Sequence, residues 1–389
     1  MTAIRQLLRA GAAAAILLLA APAGARADGT VVLRAGAATP RARLTAAGVR
    51  ASLGVIAGTG ARLVRVSGDP AAVAGRLSRV RGVAWAEPNF VVRALEALPR
   101  DPRWPALYGV RRIGAPVFWG AHGLGGFPGS GGVPVGIVDT GIDAAHEDLR
   151  GRMRACAAAH DGAVTEGECA DAVGHGTHVA GTIGAIADNG VGIAGIAFDA
   201  PLIVCRALGG ADGSGTVADV AACIRWAHDR GARVISMSLG GPASRTLAEA
   251  AKSAYGRGGR GGSLLVAAAG NDGTGAVEYP AGLPQVVSVG AIDARDRVAP
   301  FSNENADVEL TAPGVDILSA RAGGGYVAES GTSMATPHAS AAAALLWGTD
   351  PSAGAAAIRA RLDEAVDDLG APGRDPAYGF GVVDLARAR

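Results

Sequence analysis

Val133-Pro134-Val135-Gly136-Ile137-Val138 is a short run of β-branched and small residues that ends on an aspartate, Asp139. It has no polar face, which marks a strand covered on both sides. Runs of the same kind recur at 202–204, 234–237, 264–266 and 286–289. Helical candidates lie between and after them, over 175–186, 217–230, 246–255, 332–346 and 355–366. Buried strands alternating with helices predict an α/β domain built on a mainly parallel, doubly wound sheet with flanking helices. In such a sheet, functional groups gather where strands end and helices begin. Asp139 ends the first strand and Asn271 follows the strand at 264–267. His175 opens a helix after Gly174, and Ser333 opens another after Gly331-Thr332.

Upstream, residues 28–97 have a different texture. Ala61-Arg62-Leu63-Val64-Arg65-Val66 alternates in polarity as a strand does, Asp69-Pro70 opens a helix through Val73, Leu77 and Val80, and residues 82–90 return as a strand. Strand, helix and strand in so short a segment predict a small α+β domain, which a stretch bearing Arg and Pro (93–105) joins to the body at 98–389. Residues 1–27 read as an export signal, with Arg5 and Arg9 before the apolar run Ala12 to Ala21 and the small-residue site Ala25-Arg26-Ala27. No later segment has the uninterrupted apolar length of a membrane span. The expected location is outside the cytoplasm, extracellular or periplasmic.

The chain has 389 residues, of which 49% are apolar and 18% charged, so it is globular rather than disordered. A net charge of +1 leaves no basic footprint for nucleic acid. Its 60 glycines follow no G-X-Y period, which excludes a collagen. Four cysteines allow three pairings, and the two local ones, Cys156–Cys169 and Cys205–Cys223, are favoured in an oxidising compartment.

Each of the four polar residues has an ordinary structural role open to it: turn residue, helix cap or solvated histidine. Together they meet a chemical need. A hydroxyl is a weak nucleophile near neutral pH and requires a base; imidazole titrates in the right range; a buried carboxylate fixes the imidazole tautomer. A zinc site on His175 and His178 lacks the Glu of an H-E-x-x-H motif, and a lipase would need a G-x-S-x-G elbow, whereas Ser333 sits in Gly331-Thr332-Ser333-Met334-Ala335.

Val138-Asp139-Thr140-Gly141-Ile142-Asp143 resembles the aspartate segment of the subtilisin-like serine proteases. His175-Gly176-Thr177-His178-Val179-Ala180-Gly181-Thr182 resembles their histidine segment, and Ser330-Gly331-Thr332-Ser333-Met334-Ala335-Thr336-Pro337-His338 their serine segment. The order Asp, His, Ser is also the family's, and the resemblance runs from about Asp101 to Tyr378-Gly379-Phe380-Gly381. It implies a secreted serine endopeptidase with Asp139, His175 and Ser333 as catalytic triad and Asn271 as oxyanion donor. It also implies a substrate cleft between Ser238-Leu239-Gly240 and Ala268-Ala269-Gly270. Small residues there suggest broad specificity with large uncharged side chains favoured before the scissile bond (position P1); Asp272 is read as an exposed turn carboxylate. Asp101, Asp148 and Asn189 resemble positions that hold a structural calcium ion; no organic cofactor is expected. Residues 28–97 resemble an inhibitory propeptide, which implies a zymogen that cuts itself between Val92 and Asp101. The expected partners are polypeptide substrates and the chain's own propeptide, with no nucleic acid and no membrane span in the mature form, and the enzyme is expected to be a monomer.

Overall fold

The computed structural model describes residues 29–90, 98–122 and 131–388, so the export signal and residues 91–97 lie outside the described residues. The chain divides into two compact units, Met1–Arg93 and Ala94–Arg389. In the first, β1 (Thr30–Ala35), β2 (Val49–Ile56), β3 (Ala61–Val66) and β4 (Val83–Pro88) form an antiparallel sheet in the order β2-β3-β1-β4. Helices α1 (Arg41–Ala46) and α2 (Pro70–Leu77) accompany it. Asp69 caps α2 by accepting from Ala72 N at 2.8 Å, and Pro70 occupies the first turn, where no N–H is missed. Val73, Ala74 and Leu77 bury one face of α2 with Val31, Leu33 and Val64.

The second unit holds a ten-stranded sheet. Its strands in chain order are β5 (Val135–Asp139), β6 (Met153–His160), β7 (Ala163–Glu166), β8 (Leu202–Arg206), β9 (Val234–Met237), β10 (Leu264–Ala268), β11 (Val286–Ile292) and β12 (Val308–Pro313). The hairpin β13 (Ile317–Ala320) and β14 (Tyr326–Glu329) pairs on its own; β15 (Val366–Asp367) and β16 (Val382–Val383) complete the main sheet. The order is β15-β16-β12-β11-β10-β9-β5-β8-β6-β7, parallel except at its two ends, where β15 runs against β16 and β7 against β6. Strand residues alternate between two apolar cores. Val135, Ile137, Val204, Val234 and Val266 face one; Val138, Ile203, Ile235 and Leu265 face the other. Chain order reverses about β5, with β9 on one side and β8 on the other. There the ends of the strands open a crevice.

After the short α3 (Tyr108–Arg112) and α4 (Ala115–His122), α5 (His175–Gly184), α8 (Thr332–Thr349) and α9 (Ala355–Glu364) cover the first core; α6 (Val217–Asp229) and α7 (Arg245–Tyr255) cover the second. Helix α8 is buried from Met334 to Trp347, and its alanines let it lie close to the sheet. Both local disulfides form, each with Cα atoms 5.5 Å apart, and each closes a short loop worth about 3 kcal/mol in chain entropy. Cys156–Cys169 ties β6 to the loop leading toward α5. Cys205–Cys223 ties β8 to α6.

The five predicted strands and five predicted helices of the body are all present, with ends shifted by a few residues; α8 runs past 346 to Thr349 with Pro337 inside it. Strand β6 went unread because Met-Arg-Ala-Cys-Ala-Ala-Ala-His has no β-branched residue, and its pairing with β8 supplies what local preference does not.

Candidate active site

Helix α5 must come very close to the end of β5 for an imidazole at its first position to meet a carboxylate at the last position of the strand. Gly176 makes this possible: a Cβ there would collide with the Gly141 carbonyl and stand 3.2 Å from Asp139 Cβ. Gly174, at φ 106°, turns the chain into the helix in a conformation that favours glycine. His175 Nδ1 then lies 2.7 Å from Asp139 Oδ1. Asp139 is fully buried and also accepts from Thr140 N at 2.7 Å. Burial alone would lower the pKa of His175, but the charge and hydrogen bond of Asp139 override it, with smaller help from Glu329 and Asp171, and raise it to about 9.

Asp171 is a residue that the motifs did not reveal. Its Oδ1 accepts from Thr140 Oγ1 and from the Val173 and Gly174 N–H groups; its Oδ2 accepts from the Thr177 N–H and hydroxyl. Burial opposes its ionisation, yet the hydrogen bonds from Thr177, Gly174 and Thr140 lower its pKa. The carboxylate clamps the start of α5 to the residue after Asp139. Its only signal in the sequence is its place just before the helix start.

Ser333 opens α8 one residue after Thr332. Its hydroxyl donates to the Ser238 carbonyl at 3.3 Å, while the Ser238 hydroxyl donates to the Ser333 carbonyl at 2.8 Å. In this resting arrangement the hydroxyl is turned to Ser238 rather than to His175. Asn271 follows β10 and accepts at Oδ1 from both Thr332 N (2.8 Å) and Thr332 Oγ1 (2.9 Å). This doubly held carbonyl fixes the amide and leaves Nδ2 to donate, beside the Ser333 N–H at a helix N-terminus. Thr332 is thus a positioning residue.

A cleft of about 420 Å³ is lined by His175, the glycine-rich 213–215 segment, Ser238–Pro242 and Tyr279. Ser238 is buried beside the nucleophile, and Ala268 at the end of the neighbouring β10 and Ala269 just after it are buried too. Glu278, absent from the sequence expectation, lies between these wall segments. Asp272 is exposed, as expected.

His178 Nε2 bonds to the Ile317 carbonyl at 2.9 Å and His338 Nδ1 to the Met334 carbonyl at 2.8 Å. Burial lowers the pKa of each to about 4, so both are neutral packing histidines.

Asp101, Asp148 and Asn189 come together in one hydrogen-bonded cluster. Both Asp101 oxygens accept backbone N–H groups from residues 188–190. Asp148 Oδ1 accepts from the Asn189 amide; its Oδ2 accepts from Ile193 N and the Tyr326 hydroxyl, at 2.8 Å each. Asn189 Oδ1 accepts from Val191 N. Every side-chain oxygen of the three is turned to a protein donor, and the described residues contain no group of three or more Asp, Glu, His or Cys able to hold a metal ion. These bonds form a hydrogen-bonded cluster at the place where the sequence leads us to expect calcium.

Residues 130–381 match the Subtilase family of peptidases. The chain is 40% identical to Subtilisin Savinase of Lederbergia lenta over 72% of this chain and 97% of that one. It is 40% identical to an alkaline protease of Alkalihalobacillus alcalophilus over 72% of this chain and 69% of that one. It is 39% identical to Subtilisin DY of Bacillus licheniformis, over 66% and 90% of the two chains. No described helix is long and apolar enough to cross a membrane.

Proposed function

Because the chain belongs to the subtilase family of serine endopeptidases, we propose that Asp139, His175 and Ser333 are its catalytic triad, acting through an acyl-enzyme. The observation that carries this reading is the 2.7 Å bond between the buried Asp139 carboxylate and His175 Nδ1. With Nδ1–H given to Asp139, Nε2 is the free base. A rotation of Ser333 away from the Ser238 carbonyl brings its hydroxyl to Nε2. Ser333 Oγ then attacks the scissile carbonyl as its proton passes to His175. The oxyanion is met by Asn271 Nδ2 and the Ser333 N–H, and His175 returns the proton to the leaving amine. Water, deprotonated by the same imidazole, releases the acyl group.

The substrate main chain adds as a strand beside Ser238-Leu239-Gly240, with its P1 side chain between that segment and Ala268-Ala269-Gly270. Such main-chain pairing supports breadth of sequence away from P1. Residues 1–27 serve export to the extracellular medium or periplasm, and residues 28–97 act as an inhibitory propeptide cut off by the enzyme itself. The mature form works as a monomer.

A fluorophosphonate tests the nucleophile. The expected result is one adduct per active chain, located on Ser333 by peptide mass spectrometry, with activity lost in proportion; inhibition with Ser333 unmodified would overturn the assignment.

Catalysis needs neutral His175, and its raised pKa places that state at alkaline pH. Activity, read as kcat/KM, is therefore expected to climb through about pH 9 rather than near the ordinary imidazole value. Glu329 contributes to the rise by its charge. Glu329→Gln is expected to move the acid limb to lower pH, and a limb that stays in place in a pH–rate profile counts against this electrostatic link.

A further inference from the structure

A charge stands beside the cleft, where Glu278 lies against Gly240 of the cleft wall. Tyr279 N donates to the Gly241 carbonyl at 2.9 Å, and the two residues form an isolated antiparallel bridge. This pairing lays Glu278 alongside Gly240. A Cβ at Gly240 would stand 2.9 Å from Glu278 Oε2, and a Cβ at Gly270 would stand 2.7 Å from Glu278 Cγ. The Glu278 side chain therefore occupies the space between the two walls and needs glycine on both. Its backbone is held from behind, where its carbonyl accepts from Gly282 N at 2.8 Å.

Among the described residues, the Glu278 carboxylate makes no hydrogen bond or ion pair, although it is half-buried. Burial, and then the charge of Asp272, raise its pKa. Asp272 is tied to the buried Asn303, with Oδ2 accepting from Asn303 Nδ2 at 3.3 Å while its N–H donates to Asn303 Oδ1. Among the described residues, the wall thus presents one unpaired carboxylate with the Asp272 charge near it and no cation paired to either.

We propose that Glu278 makes this a pocket for a cationic side chain, so that the enzyme cleaves after lysine and arginine. The inference rests on the triad and wall assignments above, and it replaces the uncharged preference expected from the sequence. A long aliphatic stem lies against Ala268, Ala269 and the glycines, and its ammonium or guanidinium pairs with a carboxylate that has already lost part of its water. An aromatic P1 residue leaves that carboxylate stranded, and a glutamate is repelled.

The test uses the full chain after self-processing and four peptide anilides that differ only at P1: Lys, Arg, Phe and Glu. Lys and Arg are expected to exceed Phe in kcat/KM by roughly tenfold or more, with Glu the poorest, as one charge-assisted contact allows. Glu278→Gln is expected to reduce the Lys/Phe ratio by roughly ten- to a hundredfold. Measured on one preparation, that ratio does not depend on how much of the variant folds. Phe cleaved better than Lys, with a ratio unmoved by Glu278→Gln, would overturn the proposal while leaving the triad intact. No turnover of any substrate together with an unlabelled Ser333 would take down both readings.

Discussion

Alanine at position 333 is expected to lower kcat by about 10⁶, a magnitude carried over from the same deletion in a subtilisin. The substitution removes one oxygen, whose one hydrogen bond among the described residues is that of 3.3 Å to the Ser238 carbonyl. The expected loss of stability is therefore small, about 1 kcal/mol or less, and an inactive variant remains folded. The Ser333 N–H stays in place, as does Asn271, held by Thr332. These oxyanion donors are expected to leave turnover about 10³–10⁴ above the uncatalysed rate. The same variant tests self-processing. Purified from a host lacking other proteases, it is expected to keep residues 28–97 covalently attached, whereas the wild type is expected to be cut between Val92 and Asp101. Intact mass and turnover of a peptide anilide report on both. Retention of a tenth of wild-type kcat would exclude Ser333 as nucleophile, and a variant that still matured would exclude self-cleavage.

Features that rest on local pattern were readable in the sequence. The strand runs around Val135–Asp139 and Val234–Met237 are short and β-branched, and the chemistry sits at their ends as a parallel sheet requires. What escaped depends on contacts between distant segments. Glu278 lies in Val277-Glu278-Tyr279-Pro280, an unremarkable turn until Tyr279 pairs with Gly241 and swings the carboxylate between two glycines. The grouping of Asp101, Asp148 and Asn189 was legible, but the hydrogen bonds within it were not. A sequence shows which oxygens are available; it does not show that the Tyr326 hydroxyl, 178 residues beyond Asp148, will face one of them. Asp171 is a mixed case: four of its donors lie within six residues of it, and only the Thr140 hydroxyl comes from the loop after β5.

Asparagine at position 139 is expected to lower kcat/KM by about 10⁴ with little change in the cleft, because it reverses the polarity of one contact. Asp139 Oδ1 accepts from two donors, Thr140 N and His175 Nδ1, and Asp139 Oδ2 has no partner in its buried surroundings. An asparagine that keeps its oxygen toward Thr140 N places an unpaired N–H₂ in that buried position, at about 1–3 kcal/mol. The flipped amide aims N–H₂ at both Thr140 N and His175, and the imidazole must then carry its proton on Nε2. In that tautomer Nε2 cannot accept the Ser333 proton. Removing the charge also takes away the main influence that raises the pKa of His175, so the imidazole is expected to titrate at lower pH in the variant, as histidine NMR can measure. The raised folded-state value also fixes the sign of the stability effect. The ion pair stabilises the fold fully below the unfolded imidazole value of about 6.5, and that contribution is lost as pH rises through about 9. The stability gap between wild type and Asp139→Asn is therefore expected to be wider at pH 6 than at pH 10 in urea denaturation of the inhibited enzyme, and an equal gap at both would contradict the pairing. In the alkaline range where His175 becomes a base, the enzyme gives up the stabilisation that the same pair supplies at neutral pH.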